Sequence, residues 1–244
     1  MLPGEAPSQI EAAPLTATAP LSRQREPFPF LYRLLRRASQ PILRAAFDLR
    51  VEGAERLPAT GPFILAANHH NYLDGVVLGV AVPRKITFLV MPGVYHATPL
   101  HPAFYRHVGS IPVNLERPDP GAIRRTLRVL EEGGVIGIFP EGPFSLEGRL
   151  VRGQPGVALI ALRAGVPVVP VAINGTYEAL NGRRWHVPRP HPLSVRLGRP
   201  LYFGKVGAGM RTERALREEV TRRIMGQIAL LLFDAGSPPA VTRA

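Results

Sequence analysis

Short apolar runs ended by turn residues alternate with amphipathic stretches along most of the chain. Pro62 to Ala67 is apolar throughout and is bounded by Gly61 and Asn68. A run of that length between turn residues predicts a buried strand. Phe47 to Val51, Ile86 to Met91, Ser110 to Val113, Gly133 to Phe139 and Val166 to Ile173 read the same way, and Leu193 to Leu197 alternates like an edge strand. Helical spacing marks four other stretches. Gly75 to Val82 is an apolar helix opened by Asp74, and Asp119 to Glu132 carries Ile123, Leu127 and Leu130 on one face. Gln154 to Ala164 carries Val157, Ile160 and Ala161, and Arg211 to Phe233 is polar at first and apolar later. Strands alternating with helices predict an α/β domain: a mixed, largely parallel sheet with helices on both faces.

The N-terminal region is different. Residues 1–26 are rich in Ala, Pro, Thr and Ser without periodicity and predict a disordered lead. They have neither the basic start nor the apolar core of a signal peptide. Residues 27–45 form an amphipathic segment in which Leu31, Leu34, Leu35 and Ala38 recur at helical spacing among Arg33, Arg36 and Arg37. Pro41 is expected to break it into two helices. No stretch reaches the roughly 20 apolar residues that a membrane-crossing helix needs. The segment therefore reads either as an interfacial helix on an anionic membrane surface or as a helix packed on the main domain. Residues 46–235 make up that domain and 236–244 a flexible tail.

A formal net charge of +12 implies an anionic partner. Lys85 and Lys205 are the only lysines, so the basicity is nearly all Arg, which suits phosphate recognition. A nucleic acid is not expected, because helix-turn-helix, zinc-ligand and aromatic RNA-binding patterns are all lacking. The absence of cysteine removes disulfides and thiolate metal sites. His96, His101 and His107 have no metal-ligand spacing, and no phosphate-loop lysine occurs.

Chemistry is concentrated where the run Pro62 to Ala67 ends, at Asn68-His69-His70-Asn71-Tyr72-Leu73-Asp74. Residues five apart point roughly 140° from each other on a continuous helix. Contact between His69 and Asp74 therefore requires a strand-turn-helix bend. In that geometry an Asp that accepts from one ring nitrogen leaves the other free to take a proton from a hydroxyl. The same string also arises where Asp74 caps the helix and His69 is an ordinary loop histidine.

Taken in order, NHHNYLD, GSIPVN (109–114), FPEG (139–142) and VPVVPVAI (166–173) resemble the four sequence blocks of the glycerolipid acyltransferases, the 1-acyl-glycerol-3-phosphate acyltransferases and their relatives. The resemblance runs from about Val51 to Arg199. It implies that His69 is the base, Asp74 its orienter, and Glu141 and Gly142 part of the block that holds the acceptor. Substrate contacts are expected at Asn68, Arg117, Pro140, Glu141, Gly142, Ser145 and Arg149. It further implies an acyl-CoA or acyl carrier protein thioester as co-substrate with no cofactor, a lysolipid acceptor, and peripheral, monotopic action on the cytoplasmic face of a membrane in phospholipid biosynthesis.

Two departures stand out. The third block of the family usually continues with Thr and Arg, where this chain has Pro143 and Phe144, and the second usually carries an Arg near Leu115, where the nearest here is Arg117. An Arg pairs bidentately with phosphate, and Phe144 cannot. Two alternatives follow: an acyltransferase for a non-phosphorylated acceptor, and a non-catalytic lipid-binding protein that keeps the acyltransferase fold. An esterase would lack a G-x-S-x-G nucleophile.

Overall fold

The structure, a computed structural model, describes residues 29–114, 117–145, 147–180, 187–207 and 213–233. The expected lead (1–26) and tail (236–244) lie outside these residues. The helix α1 (Phe30–Phe47) comes first, followed by β1 (Arg50–Glu52), β2 (Phe63–Ala67), α2 (Leu73–Ala81) and β3 (Ile86–Val90). Next come α3 (Pro92–Tyr95), α4 (His101–Val108), β4 (Ile111–Pro112), α5 (Pro120–Glu131), β5 (Val135–Ile138) and α6 (Gly156–Ala164). The chain continues through β6 (Val168–Asn174), α7 (Thr176–Ala179), β7 (Ser194–Leu197) and α8 (Arg214–Phe233).

Seven strands form one sheet in the order β1-β7-β6-β2-β5-β3-β4, parallel except for the antiparallel β6–β7 pair. The sheet is thus mixed and largely parallel, as the pattern predicts. Every residue of β2 is buried, because helices cover both faces of a central parallel strand. Phe63, Leu65 and Ala67 enter one core with Val77 and Leu78 of α2, while Ile64 and Ala66 enter the other with α5, α6 and α8. Val220, Ile224 and Ile228 give α8 a buried stripe at spacings of four. The carboxyl ends of β2, β5, β6 and β3 share one edge of the sheet, where open α/β sheets place their ligands.

Three expectations need correction. Pro41 does not split the N-terminal helix, since α1 is continuous through it. Its missing N–H leaves a carbonyl one turn back unpaired, and the exposed position of Pro41 turns that site toward solvent. Phe47 ends α1 rather than starting a strand: it is buried one turn after Leu43, and Asp48 in the left-handed conformation (φ 42°) stops the helix. The alternating strand β7 is not at the edge, because β1 pairs outside it. With only Arg50, Val51 and Glu52, β1 has too little apolar pattern to announce itself.

The helix α1 packs on α2 through one face. Tyr32, Leu43 and Phe47 are buried, worth about 1.5–3 kcal/mol for each large side chain. Arg36 donates to the carbonyls of Gly79 (3.1 Å) and Val80 (3.3 Å), capping the last turn of α2. The opposite arc is also apolar: Phe30, Leu34, Leu35 and Ile42 are exposed. Arg33, Arg37 and Arg44 run along one flank of that arc.

Candidate active site

The chain leaves β2 at Ala67 and turns sharply before α2, and this turn brings His69 onto Asp74. Nδ1 of His69 lies 2.8 Å from Oδ2 of Asp74. The same oxygen accepts the backbone N–H groups of His70 (2.6 Å) and Asn71 (2.8 Å). Asp74 therefore does not cap its own helix. The N–H of Leu73, the first residue of α2, is accepted by Oδ1 of Asn71 at 2.9 Å.

Asp74 is fully buried. Burial alone would push its carboxyl up, but the hydrogen bond and charge of His69, the Thr176 hydroxyl and the Asn71 amide more than reverse this and hold it below the ordinary carboxylate range. It is therefore ionised near neutral pH. An ionised, acceptor-only partner makes His69 carry its proton on Nδ1. Nε2 has no protein partner among the described residues, and the His69 side chain keeps 12% of its exposure.

Aromatic rings wall the imidazole. Phe139 stacks on it with centroids 3.7 Å apart, and Phe144 meets it edge-on at 4.4 Å. Tyr72 in turn meets Phe144 at 4.8 Å, and Phe88 lies parallel to Phe139 at 6.0 Å. Gly137 allows this approach of Phe88, whose ring would be only 2.6 Å from a Cβ at that position.

Glu141 sits behind His69. Its carboxylate accepts the backbone N–H of His69 (2.8 Å) on one oxygen and that of Val151 (3.0 Å) on the other. The residue is buried, which pushes its carboxyl up to about 7 against the pull of those two donors. Both oxygens are thus engaged in fixing two loops. Gly142, at φ 84°, turns the chain after it and donates to the Phe139 carbonyl at 3.0 Å. Ser145 is buried, donating its N–H to the His69 carbonyl (2.9 Å) and its hydroxyl to the Arg149 carbonyl (2.6 Å). Backbone ties on both sides of His69 therefore come from the segment 141–145.

The remaining expected contacts separate into two groups. Asn68 and Pro140 are buried within the fold and do not line the cup: the Asn68 amide bonds both the C=O (2.8 Å) and the N–H (2.7 Å) of Ile173, and the Pro140 carbonyl accepts from Gln154 at 2.7 Å. Asn68 continues the β2–β6 pairing by one residue where the backbone has already turned away. Arg117 and Arg149 are exposed. Arg149 pairs with Glu147, whereas Arg117 follows β4, three strand positions from β2 or roughly 14 Å at the usual spacing.

Other residues joined the site without a sequence expectation. Thr176, fully buried at the start of α7, places its hydroxyl 3.3 Å from Nδ1 of His70 and its carbonyl 2.6 Å from Nδ2 of Asn71. Gly175, a turn residue ending the β6 run, was the one local sign of this element.

A family model described as Acyltransferase matches residues 48–174, more than half of the chain. The chain belongs to the acyltransferase family. It is 30% identical over 146 residues to the 1-acyl-sn-glycerol-3-phosphate acyltransferase of Bacillus subtilis (strain 168), which covers 59% of this chain and 72% of that one. It is 28% identical over 160 residues to the chloroplastic 1-acyl-sn-glycerol-3-phosphate acyltransferase BAT2 of Brassica napus, spanning 64% of this chain and 45% of that protein. The crystal structure of the 1-acyl-sn-glycerophosphate acyltransferase PlsC from Thermotoga maritima superposes with a TM-score of 0.66 at 23% identity, covering 86% of this chain and 82% of that one. That likeness is one of fold. In this acyltransferase the matched span holds His69, Asp74, Glu141 and Phe144, and ends two residues before Thr176.

Proposed function

We propose that this acyltransferase moves a fatty acyl group from a thioester donor, acyl-CoA or acyl carrier protein, to a hydroxyl of a lysophospholipid such as 1-acylglycerol-3-phosphate. The reading is carried by the His69–Asp74 contact with Nε2 left unpartnered in an aromatic cup. Nε2 takes the acceptor proton as the oxygen attacks the thioester carbonyl. The tetrahedral adduct then collapses, the carbon–sulfur bond breaks, and the proton passes from the imidazolium to the departing thiolate. Asp74 keeps the proton of Nδ1 in place and stabilises the transient positive charge. No protein nucleophile is needed, which agrees with a chain that has no cysteine. Glu141 and Ser145 serve by holding the backbone of His69 rather than by touching substrate.

The site of action is a membrane surface, with the protein peripheral and on its cytoplasmic face. No described helix is long and apolar enough to cross a bilayer. The outward arc of α1 with its Arg flank supports interfacial docking.

A second reading, an acceptor without a terminal phosphate, draws on one observation: Phe144 lies against His69. A panel of 1-acylglycerol-3-phosphate, glycerol-3-phosphate, other lysophospholipids and neutral alcohols separates the two, with Phe144→Arg alongside. The first reading expects product on 1-acylglycerol-3-phosphate, and expects Phe144→Arg to shift preference toward phosphorylated acceptors by about tenfold, the effect of one added charge-assisted bond. Turnover only on phosphate-free acceptors would favour the second.

A further inference from the structure

Between β3 and β4 the chain leaves the sheet through α3 and α4, and this excursion contributes nothing to the dyad. Its composition is distinctive. No Asp or Glu occurs from Gly75 to Leu115, and none from Pro29 to Phe47. These two acid-free stretches meet in the fold, where α4 packs beside α1.

The helix α4 has two dissimilar sides. Leu100, just before it, is 79% exposed and Phe104 is 39% exposed, and a spacing of four puts them on one face. Ala103 and His107 are exposed beside them and Arg106 stands at the rim. On the inner side Tyr105 stacks on Tyr95 with centroids 5.4 Å apart. Burial, with the nearby Tyr72 phenol, raises the Tyr105 hydroxyl above its ordinary range. Tyr72 meets Phe144 edge-on, and Phe144 meets His69. The excursion thus has one face outward beside α1 and the other on the Tyr95–Tyr105 stack, on the side of the Tyr72 phenol.

We infer that α4 is a second bilayer-contacting element: Leu100 and Phe104 enter the boundary between headgroups and acyl chains of an anionic membrane alongside α1, placing the mouth of the His69 cup at that surface. Exposed Leu100 and Phe104, with exposed Arg33, Arg37 and Arg106 on the same pair of packed helices and no carboxylate in either stretch, match an anionic interface with an apolar interior. A nucleic acid would satisfy the cations but not the exposed Leu and Phe. The consequence for catalysis rests on the lipid-acyltransferase reading, whereas membrane binding itself does not.

The test uses the full chain and vesicles of phosphatidylcholine with and without phosphatidylglycerol. Leu100→Glu combined with Phe104→Glu is expected to weaken binding to the anionic vesicles at least about tenfold. His69-dependent transfer to a detergent-dispersed acceptor is expected to stay within about twofold of wild type, and transfer to a vesicle-embedded acceptor to fall. As a folding-independent check, Phe104→Trp in a Trp185→Phe background is expected to shift its emission to the blue on adding anionic vesicles. Unchanged vesicle affinity in the double variant or an unshifted emission overturns the inference, and so does a wild type that self-associates through this face in sedimentation velocity while ignoring vesicles. Absence of transfer in every format would instead overturn the acyltransfer reading, leaving the vesicle result to decide this one.

Discussion

Replacing His69 with alanine is expected to lower acyl transfer by about 10²- to 10⁴-fold, the range in which a positioned general base contributes. On the proposed mechanism the substitution removes the group that accepts the acceptor proton, and no described neighbouring side chain is placed to take over. His70, the nearest imidazole, faces Thr176 and Tyr177, and burial lowers its proton affinity. Glu141 is spent on two backbone N–H groups. The fold is expected to survive, because the ties that place residue 69 run through its backbone, to Glu141 on one side and Ser145 on the other. Circular dichroism and a denaturant titration on the purified variant, beside the transfer assay, check both halves. A variant that retains wild-type rates contradicts the role assigned to the imidazole.

Asp74→Asn is expected to produce a loss of comparable size, up to about 10⁴-fold in turnover, and a larger cost in stability than His69→Ala. One carboxylate oxygen accepts three donors, from His69, His70 and Asn71. A neutral amide accepts them more weakly if its oxygen faces them, and opposes them with its own N–H groups if it is flipped. The expected cost is about 2–4 kcal/mol in a denaturant titration. The pH dependence has a definite sign. Because the folded structure holds the Asp74 carboxyl below its ordinary range, its stabilising contribution is fully present above the unfolded value of about 3.9 and is lost as pH falls through the lower folded value. The wild type should therefore lose stability more steeply than Asp74→Asn below about pH 4. Parallel acid-denaturation curves would contradict the assignment of that charge.

What was legible in the sequence had short-range causes. The strand Phe63–Ala67 is apolar at every position because both of its faces are covered, and the requirement for a bend between His69 and Asp74 follows from helix geometry alone. The misread elements had pattern that pointed elsewhere or too little of it. Phe47 belongs to a helix through its packing with Leu43 and β1 through its pairing with β7, and neither relation shows in a window of a few residues. The same limit applies to the site. Asn68 was expected to meet substrate, yet its amide is used by Ile173, 105 residues away. Thr176 was not expected at all, since its link to Asn71 spans a similar separation. The motif placed His69 against Asp74, whereas the groups that hold the pair in place come from the segments after β5 and β6, which meet β2 only in the folded sheet.

The proposed reaction is direct transfer from thioester to hydroxyl with a histidine base and no covalent enzyme intermediate. It is tested most directly by mixing the enzyme with a long-chain thioester labelled in its acyl group, with and without 1-acylglycerol-3-phosphate, and following the label on protein and lipid through a single turnover. Label is expected on the acceptor only when acceptor is present, with none recovered covalently on the protein, and His69→Ala is expected to form no product on this timescale. Label that accumulates on the protein before the acceptor is added, and then chases into lipid, would contradict it.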